Sequence, residues 1–600
     1  MEKEKKRGYG KVFWRIVFVL GTLLFLAFME LGKRTVPGWI AAIAVLALFY
    51  VLRSTKLVGT GFGIRALSWL CVIVLCAAVF VLFKPPVKAV PAVDAKDPEK
   101  TAVYTVKTGQ LTGVFTEDKE VEVFTGIPYA KAPVGDLRWK ETQPADNWEG
   151  ILEADHFAPM SMQTTNSVVY DSLAQIIGFH DYKISLKDNY RTPVSEDSLY
   201  LNIWKPAGNK TGLPVLVYIH GGSLQTGQPW YQDYRGETLA RNDVIVVNFA
   251  YRLGIFGFFG TPSLAAESEN ATTGNYGLLD QIMALKWVQE NIESFGGDPS
   301  NVTLAGESAG SACVSALCTS PLAKGLFRRV LMESSTVSAP RPAHSYRSLE
   351  AAFKASENTM ERFGAKSIEE MRALPAEEIV SELSIHHHMT VDGYVLPQSP
   401  YEAYLKGEYN EEAQLHGFNR EEAAPFILFS QANMKNYETK IRYSFGEYAD
   451  KVLELFPAGT DEEAKKNWAD IYSVVLFDYG HYCLGRQAAA NGIPSYAYHF
   501  TKDNGRLGTW HSGEEVYLYG NIPDDSRLYD ESDRELSRRF VNYVVNYART
   551  GDPNGEGLTT WEPTDGSKVM ELGTQTQMTD MPWRELYSLM DEMYNWQDKE

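Results

Sequence analysis

The chain has 600 residues, 44% of them hydrophobic and 22% charged, with a formal net charge of −19. That is long enough for more than one domain and apolar enough for a large core. The charge is unevenly spread. Residues 1–88 hold thirteen Lys and Arg against three Glu; with +10 there and −19 overall, residues 89–600 carry −29. A body that acidic excludes nucleic-acid binding, which needs Lys/Arg patches for phosphates.

In chain order, three apolar runs come first. Residues 12–31, 37–52 and 66–83 read as transmembrane helices forming a membrane anchor over 1–83. The positive-inside rule orients them. Lys3, Lys5, Lys6, Arg7 and Lys11 precede the first run, and Arg53, Lys56 and Arg65 separate the second from the third. The N-terminus is then cytoplasmic and everything after Lys84 lies outside a cell membrane crossed by several helices. Residues 84–102 are rich in Pro, Ala, Val and charge and read as a semi-rigid linker. From 103 to 600 short apolar runs alternate with helical patterns. Runs at 213–219, 244–249, 302–305 and 329–333 read as strands, and 278–292 reads as a helix. The fold class is therefore α/β, a mostly parallel sheet with helices on both faces. Residues 340–415 are more polar and helical, as a cap would be. The cysteines Cys313, Cys318 and Cys483 are too few and scattered for a disulfide framework and read as buried thiols.

Gly306-Glu307-Ser308-Ala309-Gly310 follows the 302–305 run and opens a small-residue helix. Strand, sharp turn and helix are the setting of a nucleophile elbow, with Ser308 as nucleophile. A serine needs a base. His416, His481, His499 and His511 all follow in the chain, and His511 is best placed, in the Gly-punctuated loop Gly508-Thr509-Trp510-His511-Ser512-Gly513. An oxyanion hole needs backbone N–H donors. Ala309 follows the nucleophile, and His220-Gly221-Gly222-Ser223 follows an early strand with residues small enough to approach a substrate.

These pieces, with further stretches, resemble the type-B carboxylesterase/lipase family, relatives of cholinesterases and para-nitrobenzyl esterases. The stretches include Phe124-Thr125-Gly126-Ile127-Pro128-Tyr129-Ala130, Leu137-Arg138-Trp139, Glu196-Asp197-Ser198-Leu199-Tyr200-Leu201-Asn202-Ile203 and Asn248-Phe249-Ala250-Tyr251-Arg252-Leu253-Gly254. Asn275-Tyr276-Gly277-Leu278-Leu279-Asp280-Gln281, Phe295-Gly296-Gly297-Asp298-Pro299 and Thr550-Gly551-Asp552-Pro553-Asn554 complete them. The resemblance covers nearly all of 103–600 and leaves out the N-terminal runs.

It implies an α/β-hydrolase fold with a helical cap and a Ser-Glu-His triad hydrolysing a small-molecule ester, with no metal or organic cofactor. Matching residue by residue, it implies Ser308, Glu422 and His511 as the triad. Glu422 stands in Gly417-Phe418-Asn419-Arg420-Glu421-Glu422, with Glu421 as the neighbouring alternative. Gly222, Ser223 and Ala309 become the hole donors, and Glu514 completes a His-x-x-Glu pattern. Ser223 stands where glycine is usual, and Ser198 where animal members have a disulfide cysteine. A catalytically silent adhesion protein on the same fold, as neuroligins are, is the rival; such proteins lack the nucleophile. His386-His387-His388 reads as a polar loop rather than a metal site, because adjacent side chains diverge and no second ligand cluster accompanies them.

Overall fold

Apolar runs such as Leu213–Ile219, Ile245–Phe249 and Arg329–Glu333 become central strands of an eleven-stranded sheet. In chain order its strands are β1 (Val114–Phe115), β2 (Val121–Pro128), β3 (Tyr200–Pro206), β4 (Leu213–Ile219), β5 (Ile245–Phe249) and β6 (Gly297–Glu307). Then come β7 (Arg329–Glu333), β8 (Ala413–Asn419), β9 (Ser495–Phe500), β10 (Lys568–Leu572) and β11 (Thr576–Asp580). The computed structural model describes residues 2–32, 34–54, 62–93, 97–164, 192–340, 345–380, 386, 388–428, 430–503, 509–523 and 529–595, and among the N-terminal helices not the side chains of 2–15, 31, 53, 62 and 65.

Across the sheet the order is β11-β10-β9-β8-β7-β6-β4-β5-β3-β2-β1. Pairings from β10 through to β5 are parallel. The outer strands β11, β3, β2 and β1 run antiparallel to their neighbours. A parallel strand covered on both sides has no wet face, and so every residue of β4 and β8 is buried. Strand β4 is the switch point: β5 pairs on one side of it and β6 on the other. In open α/β sheets the crevice for a ligand forms at such a point, beyond the carboxyl ends of the strands.

The chain divides into two units: Met1–Ala89 with Thr164–Pro193, and Val90–Gln163 with Val194–Glu600. The second unit contains the sheet. In the first, the expected runs are helical, as α1 (Glu2–Leu31), α2 (Val36–Ser54) and α3 (Phe62–Leu82). Buried Met29, Ala42 and Val79 make its small core. Among the described residues no helix is long and apolar enough to cross a membrane. The three transmembrane helices expected over 12–31, 37–52 and 66–83 are corrected accordingly.

Candidate active site

Residues from four strand ends meet above β4. At the end of β6 the chain turns sharply into α4 (Ala309–Cys318), and Ser308 sits at the turn with φ +55 and ψ −124. A non-glycine residue there is strained by about 1–3 kcal/mol and is held by its surroundings. Its N–H bonds the Glu333 carbonyl at 2.9 Å, and its carbonyl accepts the Ala312 N–H at 2.9 Å. The two motif glycines make the turn fit. A Cβ on Gly310 would stand 2.0 Å from the Ile219 carbonyl oxygen, and one on Gly306 would stand 2.7 Å from the Gly310 carbonyl carbon. Ser308 is 5% exposed.

His511 comes from the loop beyond β9. Its Nε2 lies 2.7 Å from Ser308 Oγ and its Nδ1 lies 2.5 Å from Glu422 Oε2. A carboxylate accepts, so Nδ1 carries the proton and Nε2 is free to accept from the serine. Glu422 Oε1 takes the Asn419 N–H at 2.7 Å, which fixes the carboxylate just past β8. Glu421 turns elsewhere: its Oε2 accepts the Thr509 N–H at 2.9 Å. The structure thus brings Ser308, His511 and Glu422 together and keeps Glu421 apart.

The other histidines lie away from the serine. His416 Nδ1 is 3.1 Å from His481 Nδ1, and its Nε2 is 2.8 Å from Ser495 Oγ. Burial pushes His416 and His499 down to about 3, and His481 well below its ordinary value, so all three are neutral.

The glycine loop after β4 faces Ser308. A Cβ on Gly221 would lie 3.0 Å from Ser308 Cβ and 2.6 Å from Glu307 Oε2. Gly222 has φ +104, and a Cβ there would meet the Thr226 carbonyl oxygen at 2.2 Å. Ser223 and Leu224 follow with φ +56 and +58. Two left-handed non-glycine residues in succession cost about 1–2 kcal/mol each. His220 is neutral, pushed down to about 4 by burial; its Nδ1 lies 2.9 Å from the Gly221 carbonyl, and its ring stacks on Tyr251. Gly222, Ser223 and Ala309 therefore lie on the two segments that flank the serine.

Two neighbours of the histidine carry no sequence signal. Phe426 and Phe477 pack on the His511 ring with centroids 5.1 and 4.6 Å away. Phe477 lies in the π-helical turn Val474–Asp478, a feature that composition does not announce. Glu307, the variable position of the pentapeptide, has its Oε1 3.3 Å from His511 Nε2. Among the described residues no group of three or more His, Cys, Asp and Glu could hold a metal ion. His386 is buried with Nε2 2.8 Å from Thr359 Oγ1, while His387 lies outside the described residues.

Residues 100–589 match the Carboxylesterase family. The chain belongs to that family. Carboxylesterase 1C from Rattus norvegicus is 32% identical over 85% of this chain and 94% of its own length. Fumonisin B1 esterase from Sphingopyxis macrogoltabida is 31% identical over 81% of the chain and 89% of its own. The crystal structure of a Geobacillus stearothermophilus carboxylesterase superposes with a TM-score of 0.70 at 30% identity, covering 82% of this chain and all of that one. The fold is that of the α/β-hydrolases and the chain is a carboxylesterase, a hydrolase of carboxylic esters.

Other motif stretches of this carboxylesterase are structural. Arg252 is buried on Asp280, with Nη2 2.7 Å from Oδ1 and Nε 2.8 Å from Oδ2, pinning the loop after β5 to the helix Tyr276–Asn291. Arg138 makes a two-pronged pair with Glu196, both contacts at 2.6 Å. Ser198 has its Oγ 3.0 Å from Ser161 Oγ.

Proposed function

We propose that this carboxylesterase works by Ser-His-Glu acyl-enzyme chemistry on a small-molecule ester. Ser308 Oγ attacks the ester carbonyl while His511 Nε2 takes its proton. Glu422 orients the imidazole and stabilises its charged form. The N–H groups of Gly222, Ser223 and Ala309 receive the oxyanion; in such a hole one donor is worth about 3–4 kcal/mol. The alcohol leaves with the proton from His511, and a water activated by the same nitrogen then releases the acid. The observation that carries the reading is the contact pair on one imidazole, 2.7 Å to Ser308 and 2.5 Å to Glu422. Ser308→Ala is expected to lower turnover of a short-chain nitrophenyl ester by on the order of 10⁴-fold or more, and a fluorophosphonate probe to label Ser308 alone. Undiminished turnover in that variant overturns the assignment.

Location is a separate part of the reading. We infer that the N-terminal unit is held at the cell membrane and that the acidic catalytic unit works outside it. Support comes from apolar side chains left 57–60% exposed, among them Leu23, Leu24, Leu67, Leu70 and Ile73, a surface that water disfavours. Protease added to intact cells should release the catalytic unit; full protection until lysis would refute an outside location.

A further inference from the structure

Four carboxyl groups are buried together beside Ser308 and His511. Glu307 ends β6, and its Oε1 accepts from Ser512 Oγ at 2.5 Å while lying 3.3 Å from His511 Nε2. Glu514 accepts from Ser334 Oγ at 2.7 Å, from the Tyr498 hydroxyl at 3.3 Å and from Asn419 Nδ2. Glu515 accepts from the hydroxyl of Tyr218, which stands on β4. Glu333, ending β7, accepts from the Tyr519 hydroxyl at 3.2 Å; its Oε2 is buried with no hydrogen-bond partner. Asp233, Tyr234 and Tyr519 also face Glu515, and the triad carboxylate Glu422 acts on both Glu307 and Glu514. Among the described residues no Lys or Arg forms an ion pair with any of the four; the cation available to them is the imidazolium that His511 becomes.

Four carboxylates without a cation cannot all be ionised in such a place, because burial and mutual repulsion both oppose it. They share a few negative charges, and donors decide where these fall. Burial pushes Glu307, Glu333 and Glu515 well up and Glu514 up to about 7. Glu514, with three donors, takes the first charge. Glu333 has only the long 3.2 Å contact from Tyr519 and an unpartnered Oε2, so the next charge has Glu515 and Glu307 as its competing seats, and the two are not equivalent for the reaction. A charge on Glu307 would hold the imidazolium by the very nitrogen that must serve Ser308. A charge on Glu515 leaves that nitrogen free.

We propose that Glu515 and Tyr218 are a positioning pair that draws the cluster's negative charge away from Glu307 and so leaves His511 Nε2 to Ser308. The proposal rests on reading Ser308 and His511 as nucleophile and base. The Tyr218 hydroxyl stabilises the ionised form of Glu515, and charge on Glu515 in turn opposes charge on Glu307.

The test uses the full-length chain with Glu515→Gln and Tyr218→Phe. Tyr218→Phe leaves all four carboxyls in place, so it serves if Glu515→Gln fails to fold. Turnover of a nitrophenyl ester is followed as kcat/KM against pH, with fluorophosphonate labelling at Ser308 in parallel. With Glu307 as the remaining seat for charge, the imidazolium is held more tightly. The acid limb should then move to higher pH by about one unit in each variant. The double variant should move no further than Glu515→Gln, and adding Glu307→Gln should bring the limb back. A merely structural role would lower activity without moving the limb. Variants that label normally and keep the wild-type pH profile overturn the proposal alone; a wild-type chain that does not label at Ser308 overturns it together with the triad.

Discussion

At the scale of single residues, two adjacent glutamates part ways. Glu422 reaches His511 at 2.5 Å, whereas Glu421 bonds the backbone of Thr509 and is bridged to Trp510. One carboxylate aligns the base, and the other fastens the loop that carries it. Glu422→Gln removes the charge that fixes the imidazole's tautomer and should lower kcat by about 10³–10⁴-fold. Glu421→Gln keeps an acceptor for Thr509 and should stay within roughly tenfold of wild type, since it touches no reacting atom. Comparing kcat of the two variants on one ester decides; equal losses would remove Glu422 from its role. Ser308 is legible in the sequence because its signal is local, a strand, two glycines and a small-residue helix within a few positions. Glu515 is not, since its partner Tyr218 lies 297 residues away and only the sheet brings them together.

Among elements, legibility follows apolar composition rather than burial alone. Strands β4, β5 and β7 are buried along their whole length and stand out as apolar runs, whereas β8, equally buried, carries Gln, His and Asn and does not. Strand β6 reads only in part. Its half from Val302 is buried and visible, but its start, Gly297 to Asn301, is polar and pairs with β4 across a register shift. The edge strand β11 is largely half-exposed and carries Thr, Gln and Asp, a pattern no different from a loop's. The N-terminal runs are legible as helices from their apolar composition, but that composition does not by itself make a membrane-crossing helix. The elbow shows what two elements impose on each other. Helix α4 and strand β4 approach so closely that Gly310 leaves no space for a methyl group, and that contact sets the height of Ser308 beside the glycine loop.

For the whole molecule, the buried carboxyls tie activity to a cost in stability. Glu333 is fully buried, with one oxygen unpartnered and its pKa pushed well up by burial and by Glu515, Glu514 and Glu307. A carboxyl whose pKa is higher in the folded chain than in the unfolded one binds its proton more tightly when folded. Its stabilising contribution is complete below the unfolded value near 4.5 and is lost as pH rises through the folded value. Over that range the loss runs at about 1.4 kcal/mol per pH unit for one such group. Glu514, with a folded value of about 7, loses its share between about 4.5 and 7, and Glu333, also pushed well up, loses its own as pH rises. Glu333→Gln keeps an acceptor for Tyr519 and has no proton to lose. Its melting temperature should therefore equal or fall slightly below wild type at pH 5 and exceed it by several degrees at pH 8.5. Parallel melting curves at the two pH values would show Glu333 to be charged and compensated in the fold. A cluster that must stay largely protonated lies in a chain whose residues 89–600 sum to −29, so alkaline pH strains this molecule from inside as well as at its surface.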